Sequence, residues 1–291
     1  MSETVPGFVD LERVRRNFRR AAPGYGEADV LAREVDARMQ ERLDYVRLEP
    51  ECIVDLGCGP GLSFSGLQRR YPAARCVGLD QEAAMLPGVS EVRGWRRFLA
   101  GGRTRSLAYV VGDATRLPLR SRSVDLVWSN LLLPWLEAPQ PLFREALRSL
   151  KIGGLLMFSS LGPDTLKELR AGFGDGYAHT QRFADMHDLG DMLVEAGFAD
   201  PVVDMEVITF TYADLPALLA DLRAAGATCA MRDRRRGLAG RGLWQGLQRH
   251  YEGLRCAGRL PATFEIIYGH AWKPAPRQLE DGRSIIHFAR R

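Results

Sequence analysis

The sequence predicts an α/β fold built on a doubly wound, largely parallel sheet. Three observations predict it. Cys52–Ile53–Val54–Asp55–Leu56 is apolar and β-branched, as a strand covered on both faces should be. It runs into Gly57–Cys58–Gly59–Pro60–Gly61 and then a helix-like stretch over 62–70; strand, glycine turn and helix form the nucleotide-binding opening of such sheets. Further short apolar runs then alternate with helical patterns as far as residue 160, the rhythm of parallel strands joined by crossover helices.

The glycine turn narrows the ligand. A dinucleotide fingerprint reads G-x-G-x-x-G, whereas this run reads D-x-G-x-G-x-G. Asp55 ahead of the glycines would repel a pyrophosphate. A carboxylate there suits a cation, such as the α-amino group of S-adenosylmethionine. No Gly-Lys-Ser/Thr follows, which excludes a Walker loop. Glycines let the backbone approach a ligand and admit left-handed torsions.

The elements follow in order. Residues 11–20 and 28–48 read as charged helices, with a small loop and one aromatic, Tyr25, between them. They would cover the carboxyl ends of the strands. Arg75–Asp80 is the second strand, and an acid at this strand end suits two vicinal ribose hydroxyls. A helix starts over Gln81–Met85. Residues 88–105 form a Gly/Arg-rich insertion with Trp95 and Phe98 as bulky anchors. Leu107–Gly112 is the third strand, and Asp113–Ala114 at its end could meet an adenine amino group. Val124–Ser129 is the fourth, leading to Asn130 and Trp135 at the crevice. Residues 141–150 are an amphipathic helix, Gly153–Gly154 its cap and turn, and Leu155–Ser160 the fifth strand. Short helices follow over Pro163–Gly172 and Asp185–Ala196. Val202–Thr211 alternates like a strand, Tyr212–Leu260 is mainly helical, and Thr263–Tyr268 is a last strand. Ile285–Phe288 could be a minor edge strand. The expected organisation is a helical cover (1–48), a core (49–211), a helical insertion (212–260), then the last strand and tail (261–291).

Composition sets outer limits. The 291 residues are 46% hydrophobic and 26% charged, which suits a globular protein with a sizeable core. No stretch reaches the roughly 20 continuous apolar residues of a membrane span. The opening MSETVPGFVDLERVRRNF has no secretory apolar segment, so a cytoplasmic location and no membrane partner are expected. The five cysteines are scattered without a C-x-x-C pair, and neither a disulfide framework nor a metal site is indicated. Net charge is +4, with Arg232, Arg234, Arg235, Arg236 and Arg241 clustered within ten residues. This run reads as a solvated loop or as a docking patch for an acidic partner. Nucleic acid fits less well, because only Trp244 nearby could stack on a base.

As a set, DLGCGPG, GLD, GDA, SNLLLPW and KIGG resemble class I S-adenosylmethionine-dependent methyltransferases over residues 50–160. The resemblance implies a Rossmann-like, seven-stranded sheet with S-adenosylmethionine as cofactor. It implies that Asp55 or the adjacent backbone holds the methionine end, Asp80 the ribose and Asp113 the adenine, with Gly57, Cys58, Gly59, Gln81, Met85 and Ala114 also binding the cofactor. Asn130 and Trp135 would border the same site. NFRRAAPGY, GPDTLKELR, RFADMHDLGDMLVEAGFADPVVDME, RRRGLAG and RLPATFEIIYGHAW resemble the malonyl-acyl carrier protein O-methyltransferases of biotin synthesis, over nearly the whole chain. The chain departs from that pattern at Pro60, Pro134 and Ala32.

The implied reaction methylates the free carboxylate of a malonyl thioester, on acyl carrier protein or coenzyme A. Such a carboxylate is already ionised at neutral pH and needs no general base. Substrate-facing candidates are Tyr25, Arg170, His187, Tyr268 and His270. Two other readings stay open. One is a relative of the respiratory complex assembly factor that hydroxylates or methylates protein arginine. The other is a non-catalytic binding protein of the same fold.

Overall fold

A computed structural model describes residues 8–87 and 107–276. Its strands are β1 (Cys52–Leu56), β2 (Arg75–Asp80), β3 (Leu107–Val111), β4 (Val124–Ser129), β5 (Leu150–Leu161), β6 (Ala199–Tyr212) and β7 (Leu260–Trp272). They form one seven-stranded sheet in the order β3-β2-β1-β4-β5-β7-β6. The first five are parallel, while β7 runs antiparallel to both β5 and β6. The Rossmann-like α/β expectation holds, including the late antiparallel strand.

The helices are α1 (Leu11–Ala21), α2 (Tyr25–Ala28), α3 (Val30–Arg42), α4 (Phe64–Arg70), α5 (Gln140–Ser149), α6 (Lys167–Gly172), α7 (Met186–Ala196), α8 (Leu215–Ala224) and α9 (Arg241–Glu252). Alternation along the strands divides the core between two faces. Ile53, Leu126 and Trp128 pack in one cluster with Val35 and Met39 of α3. Val54, Leu56 and Val127 pack in the other with Phe143 of α5 and Leu189 of α7. Asp55 shares a face with Ile53, and is therefore turned toward α3.

Several boundaries differ from the sequence reading. The second charged helix ends at Arg42 and is followed by a single 3-10 turn, Leu43–Tyr45. β5 starts at Leu150, directly after α5, because Leu150 pairs with Val124 across a bulge. The glycines thus lie within a strand; Gly153 N–H donates to the Lys273 carbonyl at 2.9 Å rather than closing a helix cap. The stretch expected to be mainly helical, 212–260, contains α8 and α9 separated by irregular chain. Gly226, at φ +69°, turns the chain after α8, and a Cβ there would meet the Phe18 ring at 3.0 Å. The 88–105 insertion and the Ile285–Phe288 edge strand lie outside the described residues. No described helix is long and apolar enough to cross a membrane.

The parallel strands bring the ends of β1, β2, β3 and β4 to one edge, and the N-terminal helices close over it. Asn130 Nδ2, just past β4, donates to the Ala32 carbonyl of α3 at 2.8 Å. Arg19 of α1 grips both carboxylate oxygens of Glu82 after β2, at 3.1 and 2.9 Å. Asp10 N–H donates to the Ala230 carbonyl at 2.8 Å, tying the cover to the chain beyond α8.

A glycine-lined cleft beside a wide apolar cavity

The turn after β1 is set by backbone bonds. Gly57 and Cys58 N–H both donate to the Leu79 carbonyl of β2, at 2.7 and 3.1 Å. Gly57, Gly59 and Gly61 all have positive φ, +70°, +51° and +89°. A Cβ at Gly57 would lie 2.9 Å from Leu132 Cδ1, and one at Gly61 2.3 Å from Tyr109 Oη. Only glycine meets both the torsion and the space at these two positions.

Asp80 is the organising acid. Its Oδ2 accepts from Gly59 N–H at 3.1 Å and its Oδ1 from Glu82 N–H at 2.8 Å. Burial raises its carboxyl above the ordinary value, and these backbone bonds oppose that. Each oxygen retains acceptor capacity toward the cleft.

A narrow cleft of about 140 Å³ runs along this edge. Of the sequence-predicted cofactor residues, Gly57, Gly59, Asp80, Gln81, Met85, Asp113, Ala114, Asn130 and Trp135 line it. Asp55 and Cys58 are buried and are not among the lining residues. Asp55 Oδ1 has no hydrogen-bond partner, and burial, with the buried Asp36 nearby, pushes its carboxyl well above the usual range. Asp80, with acceptor capacity left on both oxygens, and the room that Gly57 and Gly59 leave in the cleft fit S-adenosylmethionine; Asp55 lies beneath the turn and does not face the cleft. Asn130 Oδ1 also accepts from Ser159 at 2.8 Å, so both ends of its amide are committed to the protein.

Tyr25 lines the cleft from α2, its hydroxyl pushed up to about 12 by burial, with Asp29 and Asp80 adding to the shift. Phe18 packs edge-on to Trp135, at 5.2 Å between ring centroids, and forms part of the roof. Behind it opens a second cavity of about 950 Å³, lined among others by Leu169, Phe173, Phe183, Phe210, Leu222 and Phe264. Ala28, Leu31, Trp135, Leu161, Ala225 and Ala227 line both spaces, which therefore adjoin.

The other substrate-facing candidates lie elsewhere. Arg170 is exposed and donates to the carbonyls of Thr165 and Pro163, at 3.3 and 2.6 Å, bracing the turn before α6. His187 is exposed in the first turn of α7, its N–H donating to Asp185 Oδ1 at 2.8 Å. Tyr268 is buried under the Arg42 guanidinium, 3.7 Å from the ring centroid. His270, half-buried, has its pKa lowered by burial. None of these four lines either cavity. For the two β7 residues the reason is direction. β7 is antiparallel, with Ile266 opposite Leu161 and Trp272 opposite Leu155, so its later residues recede from the crevice. Earlier on the same strand, Phe264 does reach the wide cavity.

Pro134 sits in the first turn of a 3-10 helix, Leu133–Trp135, where a missing N–H costs little, and its carbonyl accepts from Gln181 at 3.2 Å. Cleft residues that the sequence reading missed include Asp29 and Glu82, both buried. Glu82 carries a local signal, two residues beyond the strand-end acid. Asp29, at the start of α3, carries only the signal of a helix-leading acid.

The arginine cluster is partly neutralised. Arg234 pairs with Asp10 at 2.9 Å and Arg235 with Asp175 at 3.0 Å, while Arg232 reaches Glu137 at 4.0 Å. Arg236 and Arg241 are exposed and make no ion pair among the described residues.

The "Methyltransferase domain" family model matches residues 54–158. The malonyl-[acyl-carrier protein] O-methyltransferase of Nitrosospira multiformis is 49% identical over 280 residues, covering 93% of this chain and 91% of that one. The chain belongs to this family. The Gallionella capsiferriformans member is likewise 49% identical over 280 residues, with 96% of each chain covered. Among solved structures, the YcgJ protein of Bacillus subtilis shares the fold at a TM-score of 0.56 and 12% identity, covering 84% of this chain and 99% of that one. The two family members thus match more than nine tenths of this chain, well beyond the residues 54–158 of the domain model.

Proposed function

We propose that this protein transfers a methyl group from S-adenosylmethionine to the free carboxylate of a malonyl group held as a thioester on acyl carrier protein. The observation that carries the reading is the meeting of two spaces at Trp135, Leu31 and Leu161: a narrow glycine-lined cleft with Asp80 and Asp113 on its wall, and a wide, mainly apolar cavity. S-adenosylmethionine, when bound, supplies a methyl group on a positively charged sulfur. Gly57 and Gly59 give it room, and Asp80 would accept from the two ribose hydroxyls. Asp113 and Ala114 would border its adenine.

The acceptor carboxylate arrives ionised, so no side chain has to remove a proton. Tyr25 stays protonated at neutral pH and could donate to one carboxylate oxygen without competing for the methyl. A negative nucleophile and a positive donor lose charge as they react, and a dry site favours that loss. Leu31, Trp135 and Leu161 keep the junction dry. Arg236 and Arg241, without an ion pair among the described residues, would draw an acidic carrier to this protein.

The test is direct. The purified protein is incubated with labelled S-adenosylmethionine and malonyl-carrier protein, with acetyl-carrier protein and malonyl-coenzyme A in parallel. The reading expects a base-labile methyl ester on the malonyl group, none on acetyl, and faster transfer to the carrier-bound form. Cofactor binding without ester formation would overturn it.

A further inference from the structure

Several polar side chains on the wall of the wide cavity are committed to the protein itself. Thr165 Oγ1 donates to the Glu265 carbonyl at 3.2 Å. Gln181 is bonded at both ends, Nε2 to the Pro134 carbonyl at 3.2 Å and Oε1 to Ala230 N–H at 2.7 Å. Tyr212 donates to Asp221 at 2.6 Å.

His179 differs. It lines the cavity with its side chain 14% exposed. Its Nε2 lies 2.8 Å from Asp175 Oδ1. Asp175 Oδ2 in turn accepts from Arg235 at 3.0 Å. Burial acts to raise the Asp175 carboxyl, but the bonds from His179, Tyr177 N–H and Arg235 bring it below the ordinary value, so it is an anion and an acceptor. The proton between the two residues therefore sits on Nε2. The His179 ring lies flat on Phe173, 3.5 Å between centroids and 2° between planes. Phe173 holds the ring's plane and Asp175 its rotation. Nδ1 makes no hydrogen bond among the described residues. In the neutral ring it offers a lone pair held in a fixed direction, unlike the hydroxyls of Thr180 and Thr228 and the charged ends of Glu27 and Arg223 on the same wall, which make no side-chain bond among the described residues.

We infer that His179 is a substrate-contacting residue, whose Nδ1 accepts from a secondary amide N–H of the arm that carries the malonyl thioester. Asp175 and Phe173 are positioning residues that present it. The inference rests on the reading above and deepens it by assigning a recognition group for the arm. A malonyl thioester has no hydrogen-bond donor of its own, whereas an arm built from amide units has one within reach of the thioester. The cavity, at about 950 Å³, holds far more than a three-carbon acyl group and leaves room for such an arm.

The experiment compares two small substrates, malonyl-S-N-acetylcysteamine and its analogue in which an ester oxygen replaces the amide N–H. With the unaltered protein, the amide should be preferred about tenfold in kcat/KM, the scale of one hydrogen bond at a buried site. H179F keeps a flat ring against Phe173 and removes the acceptor. It should bring the preference close to one with S-adenosylmethionine binding unchanged, Tm falling only by the loss of the Asp175 hydrogen bond. D175N should lower the preference partway, mainly through KM. A preference below twofold in the unaltered protein would overturn the inference without recourse to any variant. So would a preference that survives in folded H179F. Absence of methyl transfer by the unaltered protein to either thioester and to malonyl-carrier protein would remove the underlying reading, and this inference with it.

Discussion

Replacing Asp80 with alanine should weaken S-adenosylmethionine binding by roughly a hundredfold or more. Asp80 closes β2 and is held by two backbone donors, Gly59 N–H at 3.1 Å and Glu82 N–H at 2.8 Å. That grip fixes the carboxylate before any ligand arrives. Two vicinal hydroxyls would each donate to it, and a hydrogen bond to a charged group contributes about 1.5–3 kcal/mol net. Two at the lower bound give about 3 kcal/mol, and every 1.4 kcal/mol is tenfold in Kd. D80N keeps the shape and one acceptor, so it should lose only about tenfold. The alanine variant also leaves two N–H groups without their acceptor, which costs about 1–3 kcal/mol per buried group. Removing a buried acid whose pKa burial has raised offsets part of that. Net destabilisation should therefore stay within a few degrees of Tm. Isothermal titration calorimetry on D80A, D80N and the unaltered protein, with a melting curve for each, reads both quantities. A Kd for folded D80A within threefold of the unaltered protein would refute the assignment of this carboxylate to the ribose.

Four further outcomes are expected. G57A should abolish thermal stabilisation by S-adenosylmethionine, because the new Cβ meets Leu132 at 2.9 Å in a left-handed torsion; G153A, with no atom within 4 Å of its Cβ, pays only the torsional term and should bind normally. Y25F should lower kcat for malonyl-carrier protein while leaving the cofactor Kd alone, and Tyr25 should add no basic limb to the pH–rate profile below about pH 10, its hydroxyl lying near 12. Burial acts to raise the Glu82 carboxyl, but Arg19 and the Ala84 N–H bring it below its ordinary 4.5. Its folded pKa being the lower, its contribution is present above the unfolded pKa and is lost as pH falls through the folded one. E82Q should therefore melt lower than the unaltered protein at pH 7 and converge with it in acid; parallel curves at all pH would contradict this. R236E with R241E should raise KM for malonyl-carrier protein several-fold at low salt and much less at high salt, where screening shortens to a few ångströms. Reversing Arg234 or Arg235 should instead lower Tm, since these pair with Asp10 and Asp175.

The cofactor half of the molecule was legible in the residues because its parts are local. Asp80 and Asp113 each follow their own strand directly, and a parallel sheet brings all such strand ends to one edge without further instruction. The three glycines declared their torsions through the absence of a side chain. What stayed hidden was depth: Asp55 reads as a ligand-facing acid, yet alternation along β1 turns it down toward α3 and Asp36.

The substrate half was decided by tertiary structure. Tyr268 and His270 stand in the stretch on which the resemblance rests, but the antiparallel run of β7 carries them away from the crevice while Phe264 stays beside it. His179 carries no mark in the chain: Phe173 and Asp175 lie in its own segment, but Arg235 reaches Asp175, and the cavity that His179 lines exists, only when that segment meets the loop before α9. A strand and its turn encode their geometry in consecutive residues. A cavity wall is assembled from distant segments, and the direction in which each is packed determines which of its side chains face inward.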